Sequence, residues 1–211
     1  MKAAVFDFDG TIVVDYKVWL DMYDEFQAEN HLTVDYNERN RLLVGSVQSV
    51  AMNYLKAFPQ LSEKYTHEQL VQRFVDGTRD GTLSSPPVHG AIEYIKNLHE
   101  RNIPVAIVSS SVSETIHMYL KKYGIDDCVS FIVEGKDVVH CKPNPEGYLT
   151  ATKHFNVEAK EAVVYEDSVS ALLGAKSAEF KTVLVNTSGY KGDMTQYDYV
   201  ITDFDTLPNL F

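Results

Sequence analysis

The sequence has few cysteines, few basic side chains and no long apolar run. Its 211 residues include only two cysteines, Cys128 and Cys141, and no Cys-x-x-Cys pair, which argues against a disulfide framework or a structural zinc site. No apolar stretch approaches the roughly 18–20 residues that a membrane span needs. Lysine and arginine number 19 against 30 aspartates and glutamates, a formal net charge of −11. Nucleic acid and anionic membranes are therefore not expected as main partners, because both bind basic surfaces.

What remains is the composition of an ordinary globular protein. Hydrophobic residues make up 45% and charged residues 23% of the chain, and its length accommodates one full domain with a small insertion. The first residues, Met1 to Asp7, reach a charged side chain too early for a signal peptide. Together with the sparse cysteines, this predicts a reduced, cytoplasmic compartment. We expect a monomer or a weak homodimer.

Short apolar runs alternate with helical patterns along most of the chain. Compact runs rich in valine and isoleucine predict strands at Ala3–Phe6, Pro104–Val108, Ala162–Tyr165 and Thr182–Val185, with an edge strand at Tyr199–Thr202. Helical patterns cover Gly90–Arg101, Ser113–Tyr123, Glu146–Phe155 and Val169–Ala178. This alternation predicts an α/β fold, a Rossmann-like three-layer sandwich with a parallel sheet and helices on both faces.

One segment interrupts the alternation and predicts an inserted domain. From about Asp15 to Leu83 no buried strand is evident, and the apolar residues are spaced as in helices. They form three groups: Trp19, Leu20, Met22, Tyr23 and Phe26; Leu42, Leu43, Val47 and Val50; Leu70, Val71, Phe74 and Val75. The run Ser84-Ser85-Pro86-Pro87 then breaks helix. We expect a core domain of residues 1–14 and 85–211 and an α-helical cap domain of residues 15–84.

Four polar clusters follow predicted strands or precede a predicted helix. They are Asp7-Phe8-Asp9-Gly10-Thr11, Ser109-Ser110-Ser111, Lys142-Pro143 and Glu166-Asp167-Ser168. In an open α/β sheet, ligands bind beyond the carboxyl ends of the strands. Taken singly, each cluster has an ordinary explanation as a turn, a helix cap or a solvated charge. Their order along the chain instead favours one catalytic site that gathers carboxylates, hydroxyls and an ammonium.

The residue types in these clusters suit phosphoryl transfer. Asp7, Glu166 and Asp167 offer hard oxygen ligands of the kind that Mg²⁺ prefers. A carboxylate such as Asp7 can attack a phosphoryl group if cations, here Mg²⁺ and Lys142, neutralise the two approaching anions. Asp9 can then protonate the leaving oxygen and afterwards deprotonate water.

The four clusters resemble the four motifs of the haloacid dehalogenase superfamily, most of all the branch with a helical cap, which includes β-phosphoglucomutase and many sugar-phosphate phosphatases. The resemblance implies that Asp7 is the nucleophile and Asp9 the general acid and base. It implies that Thr11, Ser109 and Ser110 bind the phosphoryl group of the substrate and that Lys142 neutralises charge. Mg²⁺ would be held by the Asp7 side chain, the Asp9 carbonyl, Asp167 and Glu166.

Three positions depart from the family pattern. Where the family usually has glycine, this chain has Cys141, Ala171 and Glu179. None of them removes a catalytic group. Ala171 and Glu179 are expected to strain the backbone locally, because glycine adopts conformations that they avoid.

The resemblance predicts a Mg²⁺-dependent phosphatase that hydrolyses a small phosphorylated metabolite, a sugar or polyol phosphate, through an aspartyl-phosphate. Dehalogenases typically lack the second aspartate, which is present here as Asp9, and phosphonatases use a cap lysine where Gln48 falls nearest. β-Phosphoglucomutase uses a histidine where this chain has Trp19, and an arginine after a cap glycine where it has Gly45-Ser46-Val47-Gln48. A phosphosugar mutase and a non-catalytic binding protein on the same fold remain the alternatives.

Overall fold

A computed structural model describes residues 1–207, and its centre is a parallel sheet of six strands. The strands are β1 (Ala3–Phe6), β2 (Val105–Val108), β3 (Phe131–Val133), β4 (Ala162–Glu166), β5 (Lys181–Val185) and β6 (Tyr199–Ile201). Their order is β3-β2-β1-β4-β5-β6, and every neighbouring pair is parallel. The predicted Rossmann-like α/β fold is confirmed, and the five predicted strands lie within one residue of their expected bounds.

Helices cover both faces of this sheet. They are α5 (Ala91–Glu100) and α6 (Ser113–Lys122) on one face, and α7 (Glu146–His154) and α8 (Val169–Ser177) on the other. Strand β1 contributes Ala4 and Phe6 to the first apolar cluster and Ala3 and Val5 to the second, since side chains alternate across a strand. All four residues of β1 are buried, which explains its continuous apolar sequence.

Residues 16–84, which follow β1, fold into helices that share an apolar cluster of their own. These helices are α1 (Tyr16–Glu29), α2 (Tyr36–Leu42), α3 (Val47–Ala57) and α4 (His67–Ser84). Four buried aromatic rings, those of Tyr23, Phe26, Tyr54 and Phe74, form five contacting pairs with centroids 5.0–6.1 Å apart, mostly edge to face. Such pairs add to the stability that burial alone provides.

Two local features differ from the sequence-based expectation. Leu42 and Val47 do not share a helix, because Gly45 has φ +92° and Ser46 caps a new helix by accepting from the Ser49 backbone N–H. Strand β3 escaped prediction because it is an edge strand of three residues, two of them only half-buried, so its apolar run is short.

Ala171 and Glu179, two of the positions where the family usually has glycine, differ in backbone conformation. Glu179 has φ +68°, so the expected backbone strain is present there. Ala171 lies inside helix α8 and is buried, so the expectation of strain at Ala171 is wrong. An alanine in a helix interior is the most favourable residue available.

A glycine in α8 lets this helix approach the loop that carries Lys142. A Cβ on Gly174 would lie 1.8 Å from the carbonyl oxygen of Pro143. The obstructing atom belongs to the backbone, so no side-chain rotation relieves the clash. Gly174 thus accommodates close contact between α8 and the Lys142-Pro143 segment.

We expect Gly174→Ala to destabilise the protein by about 2 kcal/mol, because overpacking against backbone outweighs the gain in helix propensity. Gly77→Ala is the matched control: it also changes a glycine inside a helix, but its Cβ meets side-chain atoms of Arg73 and Met22. Thermal and urea unfolding of both variants would measure the difference. Equal stability of the two variants would contradict this explanation of Gly174.

Candidate active site

The first polar cluster lies at the carboxyl end of the central strand. Asp7 follows β1 directly, and its backbone N–H donates to the Tyr165 carbonyl of β4 at 2.9 Å. Gly10 then turns the chain with φ +83°. A Cβ on Gly10 would lie 2.4 Å from Oδ2 of Asp167, so only glycine allows that carboxylate to approach the loop.

Lys142 joins the cluster that follows β1 to the cluster that follows β4. Its Nζ donates to Oδ1 of Asp7 and, at 2.8 Å, to Oε1 of Glu166. Tyr148 of α7 donates to the same Glu166 oxygen at 3.0 Å. Asp7, Lys142 and Glu166 are separated widely along the chain but meet because β1 and β4 are neighbours in the sheet. Tyr148 was not among the predicted site residues, since nothing in its local sequence marks it.

Two carboxyls of the cluster, those of Asp7 and Asp167, hold protons more tightly than isolated carboxyls do. Burial, reinforced by the nearby Glu166, raises the pKa of Asp7 to about 8, although Lys142 opposes the shift. Burial and Glu166 likewise raise the pKa of Asp167 to about 9. Burial disfavours the charge on Lys142, yet Asp7 and Glu166 raise its pKa well above the ordinary lysine value. The site therefore has more negative charge than its one ammonium balances.

This imbalance suits a divalent cation. Asp7, Glu166 and Asp167 each offer a carboxylate oxygen, and the three oxygens lie within 4.8 Å of one another. Three ionised carboxylates beside one lysine leave a charge of about −2, which one Mg²⁺ would neutralise, and oxygen donors are its preferred ligands. Asp9 does not contribute its side chain to this group. The metal role expected for its carbonyl stays a prediction.

The carboxylate of Asp9 is held by three donors from two parts of the chain. Ser109 donates to Oδ2 at 3.1 Å, Ser111 lies 2.9 Å from Oδ2 and 3.0 Å from Oδ1, and Nε1 of Trp19 donates to Oδ1 at 3.1 Å. Ser109 was a predicted site residue. Ser111 and Trp19 were not. The sequence does not distinguish which of the adjacent serines contacts the site, and an aromatic residue at helical spacing usually packs in the core.

A buried carboxyl at the start of α1 lies near Asp9. Asp15 is 1% exposed, and its Oδ2 accepts from Thr82 of α4 at 2.8 Å. Burial raises its pKa to about 9, and the negative charge of Asp9 adds to the shift. This hydrogen bond joins Asp15, which immediately precedes the first inserted helix, to Thr82 in the last turn of the last one. The sequence showed Asp15 only as the point where the insertion begins.

The remaining predicted substrate-binding residues lie in different surroundings. Ser110 is half-buried and lines a cavity of about 400 Å³ together with Asp7, Lys142 and Asp167. Thr11 is fully buried, and its Oγ1 has no hydrogen-bond partner among residues 1–207. Thr11 is not among the residues that line this cavity. Its role in binding the substrate stays a prediction.

Comparison with known proteins places the chain among hydrolases. A family model described as haloacid dehalogenase-like hydrolase matches residues 4–185. YhcW of Bacillus subtilis, which is provisionally named a phosphatase, is 29% identical to this chain. The alignment covers 88% of this chain and 83% of YhcW. The (DL)-glycerol-3-phosphatase 2 of Arabidopsis thaliana is 26% identical, and the alignment covers 86% of this chain and 78% of that protein. The phosphorylated carbohydrates phosphatase of Thermotoga maritima is 24% identical, with 87% and 84% covered.

Solved structures share the fold over nearly the whole chain. CbbY from Rhodobacter sphaeroides, solved in complex with phosphate, superposes with a TM-score of 0.78 at 20% identity, covering 98% of this chain and 96% of that chain. β-Phosphoglucomutase from Clostridium difficile superposes with a TM-score of 0.77 at 19% identity, covering 99% and 94%. Within residues 1–207, no helix is long and apolar enough to cross a membrane.

We expect Mg²⁺ to stabilise the protein more at about pH 8.5 than at about pH 5.5. Asp7 and Asp167 have pKa values of about 8 and 9 in the folded, metal-free protein, against about 4 in an unfolded chain. As pH rises from about 4, the unfolded state releases these protons first, so the free energy of unfolding of the metal-free protein falls. A cation that replaces the protons binds more tightly at high pH.

The melting temperature with and without millimolar Mg²⁺ would test this, and the Mg²⁺-induced rise should be about 3 °C larger at the higher pH. Asp167→Asn should reduce the rise at both pH values, while Asp127→Asn, which changes an exposed aspartate, should not. An equal rise at both pH values in the parent protein would refute the expectation.

Proposed function

The chain belongs to the haloacid dehalogenase-like hydrolases and is a phosphoric monoester hydrolase, and from this premise we propose that it is a Mg²⁺-dependent phosphatase of a small sugar or polyol phosphate. The observation that carries the proposal is the contact of Lys142 with both Asp7 and Glu166 in the wall of a cavity. A lysine so placed favours the anionic form of Asp7 and meets the charge of an incoming phosphoryl group.

In the proposed reaction, Asp7 is the nucleophile. A carboxylate oxygen of Asp7 forms a bond to phosphorus as the bond from phosphorus to the leaving oxygen breaks, which produces an aspartyl-phosphate. Lys142 holds Asp7 in place and partly neutralises both anions. Asp7, Glu166 and Asp167 would hold the Mg²⁺, which when bound supplies the positive charge that the attack of one anion on another requires.

We assign the proton transfers to Asp9. It gives a proton to the leaving oxygen in the first half of the reaction and takes one from the attacking water in the second. Ser109, Ser111 and Trp19 restrict the orientation of its carboxyl group, which supports this assignment. Ser110 lines the cavity and is positioned to contact the phosphoryl group. A non-catalytic binding protein would not need Asp9 and Lys142 together.

The names of relatives support the proposed substrate class. Their names specify phosphatases of glycerol 3-phosphate and of phosphorylated carbohydrates. We therefore propose a small phosphorylated metabolite of the sugar or polyol class as the substrate of this chain. Both cysteines are free, and the reduced, cytoplasmic compartment inferred from the sequence stays a prediction, as does the monomeric or weakly dimeric state.

We expect Asp7→Asn to lower kcat for p-nitrophenyl phosphate by about a thousandfold or more, because the amide keeps the shape of the side chain but is not a nucleophile. Asp127→Asn, on the protein surface, should keep the parent rate. Circular dichroism would establish that both variants fold. Near-parental turnover by the folded Asp7→Asn protein, or full activity of the parent in excess chelator, would rule out the mechanism.

We also propose that residues 15–84 act as a cap that seats on the core domain of residues 1–14 and 85–211, of which the structure describes residues up to 207. Two contacts support this function. Asp15 and Thr82 join at the connection to the core. On the opposite side, Gly135 faces Ser46 so closely that a Cβ on the glycine would lie 2.2 Å from Cβ of Ser46. The absence of a side chain at Gly135 therefore lets the cap approach the core.

Gly135→Ala should hinder the seating of the cap and lower kcat/KM by about tenfold, since substrate contacts made by the cap serve the chemical step. Ser46→Gly removes the opposing Cβ and should restore activity in the double variant, at the cost of only a few tenths of a kcal/mol at this helix cap. Steady-state kinetics of the parent, both single variants and the double variant would measure the coupling. Additive effects of the two substitutions would contradict the seating contact.

A further inference from the structure

A second cavity lies between the inserted helices and the sheet domain. It has a volume of about 360 Å³ and shares Asp9, Tyr16, Leu43, Gly45 and Ser110 with the cavity that contains Asp7 and Lys142. The two spaces therefore adjoin at these shared residues. A phosphate ester bound with its phosphorus at Asp7 would extend its leaving group past Asp9 into this second space, which we call the cap cavity.

The walls of the cap cavity carry no positive charge. Of the described residues that line it, Asp9 is the one charged group. Lys142 lines the neighbouring catalytic cavity but is engaged with Asp7 and Glu166. On α2, Arg39 forms an ion pair with Asp24 and does not line the cap cavity. An anionic leaving group would meet the carboxylate of Asp9 and no counter-charge.

Most of the remaining lining is apolar. It includes the rings of Trp19 and Tyr23, with centroids 6.1 Å apart, and the aliphatic side chains of Leu20, Leu43 and Val47. Polar residues in the lining are few, and they include Asn40 and Ser110. Pockets of this kind bind the apolar faces of a ligand and use a small number of polar groups to orient it.

We infer that the leaving group is an uncharged alcohol with an apolar face, and that Asn40, Trp19 and Leu43 select against substrates that carry a second anionic group. The inference rests on the proposed phosphatase function. It narrows the sugar and polyol phosphates to monophosphates without a carboxylate or second phosphate. It also disfavours a phosphosugar mutase that works through a bisphosphate, because the cap cavity offers no cation for the second phosphate.

The test begins with p-nitrophenyl phosphate and Mg²⁺, whose hydrolysis reports the proposed function alone. Absence of that hydrolysis would overturn the proposed function and, with it, the inference. With hydrolysis established, kcat/KM is compared for glycerol 3-phosphate and 3-phosphoglycerate, both primary esters with three-carbon leaving groups that differ in a hydroxymethyl or a carboxylate. We expect a preference of about tenfold or more for glycerol 3-phosphate. Equal rates, or a preference for 3-phosphoglycerate, would overturn the inference and leave the phosphatase function intact.

A pair of charge variants locates the selection in the cap cavity. Asn40→Lys places an ammonium in its wall and should narrow the preference for glycerol 3-phosphate by about fivefold or more. Asn37→Lys makes the same change on the same helix. Asn37 and Asn40 are both exposed, but Asn37 does not line the cavity, so this variant should leave the preference unchanged. Equal effects of the two variants would refute the assignment to Asn40.

Benzyl phosphate and ethyl phosphate test the apolar part of the inference, because both are unactivated primary esters with neutral leaving groups. We expect benzyl phosphate to have about tenfold higher kcat/KM, since its ring buries apolar surface against the cavity wall. Comparable values for the two esters would contradict an apolar subsite.

Discussion

The site depends on one largely buried ammonium, that of Lys142, beside the buried carboxylates of Asp7 and Glu166. Lys142 lies between Asp7 and Glu166, and its side chain reaches them from a loop that precedes α7. Burying any of these groups alone would be costly, because water solvates charge better than the protein interior does. The lysine compensates one negative charge. Burial, reinforced by the remaining charge of Glu166, raises the pKa of Asp7 and of Asp167. The excess of negative charge makes the cluster suitable for a divalent cation.

The topology of the sheet makes this contact possible. Strand β1 lies between β2 and β4, so the residues that follow these three strands emerge side by side. Glycine enforces the proximity in two places: Gly10 leaves room for Asp167, and Gly174 leaves room for the loop of Lys142. Small residues at these positions matter because the obstructing atoms belong to the Asp167 carboxyl or to backbone. The geometry of the candidate site is therefore sensitive to backbone packing outside the site itself.

Asp9 connects the chemistry to the inserted helices. Ser109 and Ser111 hold it from the core, and Trp19 holds it from α1. The indole ring also lines the cap cavity, so a ligand that contacts Trp19 would contact the residue that orients the proposed proton donor. This arrangement gives a physical route by which binding of the leaving group can influence proton transfer, since both involve the same side chain.

Local sequence was sufficient where a pattern has one physical explanation. Continuous apolar runs such as Ala3–Phe6 predict buried parallel strands, because both faces of such strands are covered. Polar clusters at strand ends, and one before a predicted helix, predicted that Asp7, Lys142 and Glu166 would lie together. What only the tertiary structure decided are contacts between residues with ordinary local patterns: Tyr148 on Glu166, Trp19 and Ser111 on Asp9, and the charge and polarity of the cap cavity. These depend on how helices far apart in sequence pack over one sheet edge, and side-chain type and spacing along the chain do not encode which faces meet.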